Sequence, residues 1–470
     1  MPLLRLIAEG VGPFERLDVD LSDGKGNPHL GPHIFAGVNG SGKSTVLRTL
    51  AWVMDWRTAG FQHDDWGHML SGHPHSRALV LARPSKLPVY AEGVIRGRLN
   101  TSWDEFTGWV RAALPNLGPD ESAEPRSLEH YERFGAGEHP NSGWISFSRQ
   151  GEIDAVPYLF NVAAYSPSRA LRHLKSPDLT KTLSSANEHS LAFESTVQND
   201  YVQSWLLGLY SKRAIARDRG QSDDEYARAL ERFENALRLL YDKGVSFDVD
   251  LEPSFQPRLK AFGRNLDFSQ LPDGMRSTVG WIADFMMRQD LVQWSATLGG
   301  KRPGVLLLDE VDAHLHPLWQ RKLLPAMREA LPDVQILVTS HSPFVISSCP
   351  GSRVHVLQVE NGRASARPPV DSPIGESVTT TLKEIFGVDS RFDVLTEREL
   401  DEWNILKKRE VGGSLLSAHK TRLEELTNTL AARSEELRSI VASPLTIPES
   451  VLRSLTAETK PHQIKRKKRA

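Results

Sequence analysis

The sequence predicts an α/β fold in which a mixed sheet carries helices on both faces. Three short apolar segments, 33–36, 305–308 and 335–339, are typical of strands at the centre of a sheet that is covered on both sides. A glycine-rich loop and an apolar helical stripe follow the first segment, and a second helical segment, 317–331, lies between the other two. This strand–helix–strand order predicts a right-handed parallel unit.

Length and composition narrow the class of protein. The chain has 470 residues, which suits two or three lobes, and its formal net charge is −2, so any nucleic-acid contact must come from local basic patches. The single cysteine, Cys349, excludes a disulfide framework. The first ten residues are too interrupted for a signal peptide, and no apolar run could span a bilayer. We therefore expect a cytoplasmic protein with no membrane partner.

The predicted domain organisation has a head, residues 1–370, and a charged α-helical C-terminal region, residues 371–470. Within the head, residues 3–21 are predicted to form a hairpin of two strands. Residues about 59–155 are predicted to form a β-rich insertion with long loops. A helical lobe is predicted at about 190–245, in which several apolar residues share one helical stripe.

Finer patterns mark the ends of these predicted elements. Ser222 and Glu225 form the sequence pattern of a capping box, and Gly244 is predicted to end that helix. The strand-like pieces of the insertion are 77–82, 89–97 and 144–148. The apolar residues that recur at near-heptad spacing in the C-terminal region are Leu416, Leu423, Leu426, Leu430, Leu437 and Ile440. The basic run 465–469 is predicted to be a solvated tail.

The strongest functional motif is the segment from Gly37 to Ser44, which fits the pattern G-x-x-x-x-G-K-S in full. Its glycines let the backbone point successive N–H groups at phosphate oxygens, and the following helix adds a favourable field. Lys43 is predicted to reach the β- and γ-phosphates of ATP, and the Ser44 hydroxyl to bind Mg²⁺. The predicted nucleotide-binding residues are Gly37, Asn39, Gly40, Ser41, Gly42, Lys43, Ser44 and Thr45.

A second motif, the acid pair Asp309-Glu310, ends the apolar strand 305–308. Asp309 can hold Mg²⁺ through water, and Glu310 can orient or deprotonate the water that attacks the γ-phosphate. An apolar run before two acids is a weak signal alone, since many strands end in a charged turn. Together with the P-loop it favours a hydrolase over a protein that only binds the nucleotide.

Histidines follow both of the later strands. His341 comes directly after the strand 335–339, at the end of a parallel strand where catalytic groups collect, and it is predicted to sense the γ-phosphate. His314 and His316 lie close to Asp312, but a zinc site needs a third or fourth ligand that this segment does not offer. We expect that segment to be a structural loop that approaches a partner subunit.

The segment Leu271–Ser277 opens another predicted helix. A helix N-terminus can present N–H groups to the γ-phosphate of a nucleotide held by a second subunit. An ordinary capped helix, with Asp273 as the N-cap, accounts for the segment equally well.

Taken together, these motifs resemble the ABC-type ATPase heads of the SMC, RecF and OLD group. The similarity in order and spacing extends from residue 1 to about residue 370. It implies an ABC-type P-loop ATPase head with a β-rich insertion and an α-helical C-terminal region. The similar segments are the P-loop Val38–Thr45, the pair Asp309-Glu310 with Ala313–Pro317, the switch-histidine segment Thr339–Pro343 and the signature-loop position Leu271–Ser277.

This resemblance implies that two copies dimerise, or form a higher even-numbered oligomer, and hold ATP between one P-loop and the partner's signature loop. The group's signature has a serine after its leucine, whereas this chain has Pro272. Gly274, Arg276 and Ser277 are the candidates to replace that contact, and Gly274 and Ser277 join the predicted nucleotide-binding residues. The group's Q-loop glutamine has no evident counterpart; 165–169 is the segment at its place.

Two absences in the sequence refine the resemblance. No sustained heptads separate the P-loop from the acid pair, which disfavours a true SMC protein, and no D-x-D cluster follows residue 370, which disfavours a nuclease domain of the OLD type. A head without its own nuclease is similar to the PtuA-type ATPases of Septu anti-phage systems, whose nuclease is a separate HNH protein. The segments 382–386 and 387–391 are also similar to that group.

Three functions remain open from the sequence. The first is an anti-phage defence ATPase that controls a separately encoded effector nuclease. The second is a RecF-like repair ATPase with DNA as its partner, which the near-neutral charge disfavours. The third is a nucleotide-gated scaffold with little turnover, in which Glu310 only shapes the site.

Overall fold

The computed structural model describes residues 2–54, 77–82, 89–94, 143–147, 161–168 and 181–442. Short gaps within these ranges lie at 26, 187, 194–196, 198, 242–243, 251, 253–254, 293, 295–297, 389 and 391. Most of the predicted insertion and the predicted basic tail at 465–469 lie outside the described residues. Contacts divide the chain into two units, Met1–Gly387 and Val388–Ala470.

The first unit is built around a seven-stranded sheet. Its strands are β3 (His33–Gly37), β7 (Asn161–Tyr165), β11 (Gly304–Leu308), β12 (Val334–Ser340), β13 (Arg353–Glu360), β14 (Arg363–Ala366) and β15 (Val370–Asp371). They lie in the order β14-β13-β3-β12-β11-β7, and β15 pairs with β13. The five strands from β13 to β7 are parallel, whereas β14 and β15 are antiparallel to β13. The predicted mixed sheet is confirmed.

Successive residues of the central strands face two separate cores, as the side-chain alternation of a strand requires. Ile34 and Ala36 belong to one core and Phe35 to the other. The helices of the first unit are α1 (Lys43–Met54), α2 (Asn199–Asp218), α3 (Asp224–Leu240), α4 (Asp273–Leu291), α5 (Pro317–Ala330), α6 (Pro343–Ile346) and α7 (Val378–Phe386). Helix α1 covers the core that contains Phe35, and α2 to α7 cover the other. The predicted helices on both faces are therefore present.

A second, antiparallel sheet packs on the same side as α1. Its strands are β1 (Leu3–Val11), β2 (Phe14–Asp20), β4 (Arg77–Ala82), β5 (Val89–Val94) and β6 (Gly143–Phe147), in the order β2-β1-β4-β5-β6. The predicted N-terminal hairpin is confirmed, and the three strand-like pieces of the insertion region correspond to β4, β5 and β6. These three strands extend the sheet that the hairpin begins.

The buried side chain of Gln335 in β12 connects β1 to the central sheet through hydrogen bonds. Its amide accepts from Leu3 N at 2.7 Å and donates to Leu3 O at 3.0 Å. Its Nε2 also lies 3.1 Å from His29 O. One amide therefore satisfies backbone groups of the chain's first strand, where a buried polar group without partners would cost stability.

The predicted helical lobe consists of α2 and α3, and its predicted capping box is wrong. The residue before α3 is Asp223, and its carboxylate makes no cap hydrogen bond. It pairs instead with Arg213 and Arg217, which lie one turn apart on α2. Two guanidinium groups attract this carboxylate more strongly than the backbone N–H groups do. The helix also ends at Leu240, earlier than Gly244.

A small sheet and helix α4 follow this lobe. The sheet contains β8 (Ser246–Asp250), β9 (Gln256–Ala261) and β10 (Arg264–Leu266), in the order β10-β9-β8. Helix α4 begins at Asp273, with Pro272 in the N-cap position, so the alternative that placed Asp273 at the N-cap is wrong by one residue. Asp273 pairs with Arg276.

The first unit extends to Gly387, beyond the boundary predicted at residue 370. Strand β15 pairs with β13, and Ser372 Oγ donates to Ile346 O at 2.6 Å. Ile385 of α7 joins the core shared by α2 to α6. These contacts hold the segment after residue 370 on the central sheet.

The second unit contains the helices α8 (Val394–Val411), α9 (Ser417–Arg433) and α10 (Glu435–Ala442). The near-heptad leucines do not extend one long helix. Leu423, Leu426, Leu430 and Leu437 are buried in a short three-helix cluster around Trp403, whereas Leu416 is 66% exposed. Trp403 Nε1 donates to Thr427 Oγ1 at 2.8 Å. No described helix of either unit is long and apolar enough to cross a membrane.

A buried histidine pair lies beside the start of β3. His33 Nδ1 is 3.0 Å from His355 Nε2, and the His355 ring stacks on Phe35 at 4.8 Å between centroids. Burial lowers the pKa of His33 well below its ordinary value and that of His355 to about 3. Asp20 raises the pKa of His355 less than burial lowers it, and Arg353 lowers it further. The folded protein therefore holds this pair in the neutral form.

We predict that the free energy of unfolding falls as the pH drops below about 6.5, where histidines of the unfolded chain begin to bind protons that the buried pair refuses. The loss should continue toward pH 3, since the folded-state pKa of His355 is about 3. In His355→Gln, denaturant titrations between pH 7 and pH 4 should show a shallower dependence, by up to roughly 1.4 kcal/mol per pH unit. The exposed His314, changed to Asn, is the control and should leave the slope as it is.

Candidate functional site

The P-loop occupies the turn between β3 and α1, at the carboxyl end of the central sheet. Val38, Asn39 and Gly40 form its exposed tip, and Gly40 has a φ of +80°. Gly42 has a φ of +89°, and a Cβ there would lie 2.4 Å from the ring of Phe14. Only glycine suits this position, because both the backbone conformation and the space exclude a side chain.

A Cβ on Gly37 would lie 2.3 Å from Leu357 O and 2.7 Å from Ser41 Oγ. The loop backbone is thus held against β13 on one side and against the N-terminal hairpin on the other. Thr45 also packs against the N-terminal hairpin, since a Cβ on Gly12 would lie 2.7 Å from the Cγ2 of Thr45. The spacing of the glycines predicts a phosphate-binding loop, but nothing in it indicates which segments pack against them.

The side chain of Lys43 is buried and curls back over the loop. Its Nζ donates to Gly37 O and to Val38 O, both at 3.0 Å. Two of its three N–H donors are thereby oriented by backbone carbonyls. Burial lowers the pKa of Lys43, whereas the nearby charges of Asp309 and Glu310 raise it. The ammonium is therefore fixed above the loop and close to the acid pair.

The acid pair lies directly beyond β11, and it meets the P-loop. Ser44 Oγ donates to Asp309 Oδ1 at 2.9 Å, which joins two segments that are 265 residues apart. Asp309 is buried, and its backbone N–H donates to Tyr165 O at 2.9 Å. The hydrogen bond from Ser44 therefore brings the first and second predicted motifs into one site.

Thr339 at the end of β12 holds both members of the acid pair. Its hydroxyl donates to Asp309 Oδ1 at 2.6 Å and accepts from Glu310 N at 2.7 Å. Glu310 has a φ of +44°, a conformation that few residues other than glycine adopt, and its side chain is exposed. From the sequence, Thr339 is expected only to be part of the switch-histidine segment, and its role in holding the acid pair is not evident. Its place at the end of the strand beside Asp309, two residues before His341, was the available signal.

His341 lies close to Lys43 and to the acid pair, and their charges shift the pKa of its ring. Burial and the positive charge of Lys43 lower the pKa of His341, while Asp312, Glu310 and Asp309 raise it. The following residue, Ser342, donates to Gln320 Oε1 at 2.7 Å. Gln320 in turn donates to Leu315 O at 2.9 Å, so it ties the switch segment to the loop after the acid pair. Sequence analysis did not single out Gln320.

The segment Leu271–Ser277 is placed differently from the other predicted site residues. Ser277 is 5% exposed, and a Cβ on Gly274 would lie 2.3 Å from His314 O. The exposed residues of the segment are Pro272 and Asp273. The described contacts of Gly274 are thus with the loop after the acid pair and not with the P-loop of the same chain.

The residues around Ser44 fit a hard divalent cation and a phosphate. A serine hydroxyl and a carboxylate meet at 2.9 Å, and oxygen ligands of this kind suit Mg²⁺. Ser41 Oγ is buried and has no hydrogen-bond partner among the described residues, which leaves a polar atom aimed at the loop interior. His316, one of the histidines near Asp312, instead accepts from Leu318 N and caps α5. No group of three His, Cys, Asp or Glu side chains within the described ranges is arranged as a metal site.

Comparison with known proteins finds relatives among ATPases. The family described as "AAA domain, putative AbiEii toxin, Type IV TA system" matches residues 122–347. The chain is 27% identical over 185 residues to the Septu protein PtuA of Bacillus thuringiensis, covering 36% of this chain and 44% of that protein. It is 31% identical over 104 residues to the Retron Ec83 probable ATPase of Escherichia coli, covering 22% and 19%. It is 23% identical over 120 residues to the Retron Vc95 probable ATPase of Vibrio cholerae serotype O1 biovar El Tor, covering 26% and 23%.

Each matched stretch spans less than half of the relative's length. Among solved structures, the SMC head domain from Thermotoga maritima is 16% identical, with a TM-score of 0.39 and coverage of 78% of this chain and 99% of that one. An Smc head bound to the C-winged helix domain of ScpA is 13% identical, with a TM-score of 0.43 and coverage of 79% and 98%. The resemblance to PtuA is therefore confirmed over part of the chain, which is also similar to two retron proteins described as probable ATPases.

We predict that Thr339→Val lowers the free energy of unfolding by about 1–3 kcal/mol, because it removes the hydroxyl that donates to buried Asp309 and accepts from Glu310 N. Valine has nearly the shape of threonine, so packing should change little. Thr339→Ser keeps the hydroxyl and is the matched control. Denaturant titration of the two variants should separate them, and equal losses would contradict the role of the hydroxyl.

Proposed function

We propose that this chain is a Mg²⁺-dependent ATPase of an anti-phage defence system, which acts as a dimer and controls a separately encoded effector nuclease. The observation that carries the ATPase proposal is the 2.9 Å hydrogen bond from Ser44 to Asp309. It joins the residue expected to bind the metal in the P-loop to the acid expected to hold the metal at the end of β11. This contact is expected if the phosphate-binding loop and the acid pair hold the same metal ion.

In this proposal the P-loop binds the phosphates of ATP. The backbone N–H groups of the loop and the start of α1 face the phosphates, and the contacting residues are Gly37, Asn39, Gly40, Ser41, Gly42, Lys43, Ser44 and Thr45. Gly37 O and Val38 O already orient the Lys43 ammonium. Because its side chain is ordered in advance, phosphate binding loses less conformational entropy.

Ser44 and Asp309 are the residues that would hold Mg²⁺. When bound, the ion supplies charge neutralisation on the β- and γ-phosphate oxygens. The protein's own contribution is to fix the two ligands, since Thr339 and Ser44 both donate to one oxygen of Asp309.

Glu310 is the proposed base for the attacking water. Its backbone N–H is held by Thr339, and its left-handed backbone conformation sends the chain sharply away from β11, while the carboxylate stays exposed. An exposed carboxylate at the end of a parallel strand can reach a water molecule on the γ-phosphate side. His341 is proposed to contact the γ-phosphate, and the depressed pKa of its ring keeps it neutral near pH 7.

Dimerisation is proposed from the family resemblance and from the loop after the acid pair. The carbonyl of His314 lies against Gly274, and Gly274 and Ser277 are covered in the single chain. Contacts from this segment to a partner's nucleotide would therefore come from the exposed start of α4, where Pro272 and Asp273 lie. Gly274 and Ser277 would support that helix start from within.

A role in defence is supported by the relatives, PtuA of Septu and two retron ATPases. The effector is proposed to be an HNH-type nuclease encoded beside this chain, and both proteins are proposed to act in the cytoplasm. Co-expression of the two genes, phage plating and copurification would test this part. An effect on plating that needs both genes supports it, whereas normal plating together with no copurification contradicts it.

We predict that Lys43→Ala lowers ATP affinity by about a hundredfold or more, because a charged donor to the phosphates is lost. Isothermal titration with ATP and Mg²⁺ would measure the change. Lys301→Ala removes an exposed cation near the opposite end of β11 and should bind ATP as the unmodified protein does. Retained affinity in Lys43→Ala would refute its role in the P-loop.

We predict that Glu310→Gln binds ATP with unchanged affinity but hydrolyses it roughly a hundredfold to ten-thousandfold more slowly, since only the water-activating carboxylate is lost. Phosphate release under saturating ATP would measure the rate. The exposed Glu329, changed to Gln, is the control. Equal rates in Glu310→Gln and the unmodified protein would leave the nucleotide-gated scaffold as the better description.

A further inference from the structure

An exposed aromatic patch lies on the hairpin of β9 and β10 and on the first turn of α5. It consists of Phe262 at the tip of the hairpin, with Leu318 and Trp319 on α5. Phe262 is 57% exposed and Leu318 is 62% exposed. Large apolar side chains exposed together in this way commonly mark a binding surface. Neither the ATPase site nor the proposed function uses this patch.

The backbone conformation of Phe262 is strained. Phe262 and Gly263 form the two-residue turn of the hairpin, with φ values of +54° and +72°. Such a turn favours Asn-Gly, because a bulky residue is strained at positive φ. The same chain offers a direct comparison in the hairpin of β13 and β14, where Asn361 and Gly362 have φ values of +52° and +78°. An aromatic ring therefore replaces the residue that the turn itself would prefer.

The rings of the patch are arranged as a stack with an open end. Phe262 and Trp319 are nearly parallel, with 26° between their planes and 6.4 Å between centroids. Tyr241 packs edge-on against Trp319 at 4.8 Å and holds it in place. Since Phe262 is more than half exposed, a flat group could continue the stack on its outer side.

Four exposed cations lie in the segments that carry the patch. Lys260 and Arg264 flank the turn, and Arg321 and Lys322 lie one helical turn beyond Leu318. None of the four forms an ion pair with another described residue. Across the strands, Arg264 faces the buried Ala261. Lys260 faces Ser246 and Asn265 on the opposite side of the small sheet, which also carries Asp248 and Asp250.

We propose that this patch binds single-stranded nucleic acid, with a base stacked on Phe262 and phosphates contacted by Arg264, Arg321 and Lys322. Proteins that bind single strands combine a basic surface with aromatic rings on which bases stack, and this patch has both. An acidic protein segment would also match the charge. The strained ring of Phe262 at the end of the stack would add nothing to the binding of an acidic segment, whereas a base can stack on it. The geometry therefore favours a base.

The test uses the full chain and fluorescence anisotropy of labelled dT20, rU20 and a 20-base-pair DNA duplex, at 50 to 200 mM salt. The unmodified protein should bind dT20, rU20 or both more tightly than the duplex, and the comparison of dT20 with rU20 tells whether DNA or RNA is preferred. Phe262→Asn should lose about tenfold or more of this affinity, the usual effect of removing one stacking ring.

Phe262→Asn also separates binding from folding. Because asparagine suits the turn, the melting temperature of this variant should be equal to or above that of the unmodified protein. The reciprocal change in the other hairpin, Asn361→Phe, should lower the melting temperature and leave nucleic-acid affinity unchanged. ATP affinity should be the same in both variants, so the outcome does not depend on the proposed ATPase function.

The cations make a separate prediction through salt dependence. The double variant Arg321→Ala/Lys322→Ala should make the slope of log K against log salt shallower by about 1.4, since each phosphate contact with a single strand contributes about 0.7. Lys301→Ala is the control for the loss of an exposed charge elsewhere and should leave the slope unchanged.

Four results would overturn the proposal. They are no binding of dT20 or rU20 at 50 mM salt, equal affinity of Phe262→Asn and the unmodified protein, preference for the duplex, and tighter binding of a labelled glutamate-rich peptide than of either single strand. The last result would assign the patch to an acidic protein.

Discussion

One oxygen atom, Oδ1 of Asp309, receives hydrogen bonds from both Ser44 and Thr339. These two residues come from the first turn of α1 and the end of β12, so a single buried carboxylate joins three segments of the site. A carboxylate stays ionised away from water only where donors replace its hydration. Thr339 also holds the backbone of Glu310. The position of the proposed base therefore depends on the same hydroxyl that supports the proposed metal ligand.

The parallel sheet explains why these segments can meet. Strands β3, β12 and β11 are neighbours, and their carboxyl ends lie at one edge, so the residues that follow each strand converge. The N-terminal hairpin closes this edge, because Phe14 lies against Gly42 and leaves no space for a side chain there. The N-terminal hairpin of the antiparallel sheet thus contacts the phosphate-binding loop.

The sequence was sufficient for the features that depend on local pattern. Apolar runs identified the central strands, and the P-loop and the acid pair were recognisable from residue type and order. The sequence was insufficient for features that depend on which of several possible partners a side chain contacts. Asp223 bonds two arginines of α2 and not the helix N-terminus, and the leucines between 423 and 437 fold into a short cluster around Trp403. The roles of Thr339 and Gln320 depend on neighbours brought together by the sheet, which residue spacing alone does not reveal.

The register of β3 has a consequence for how the chain acquires its fold. This strand comes early in the first unit, yet both of its partners in the sheet, β12 and β13, come near the end of that unit. His33 and His355, which meet across β3 and β13, are 322 residues apart. Contacts over such distances form late, because closing a long loop costs entropy before any pairing is gained. The phosphate-binding loop therefore gains its contacts with β13 and with Asp309 only after nearly the whole unit has left the ribosome, and chains that stop earlier carry the motif without the site.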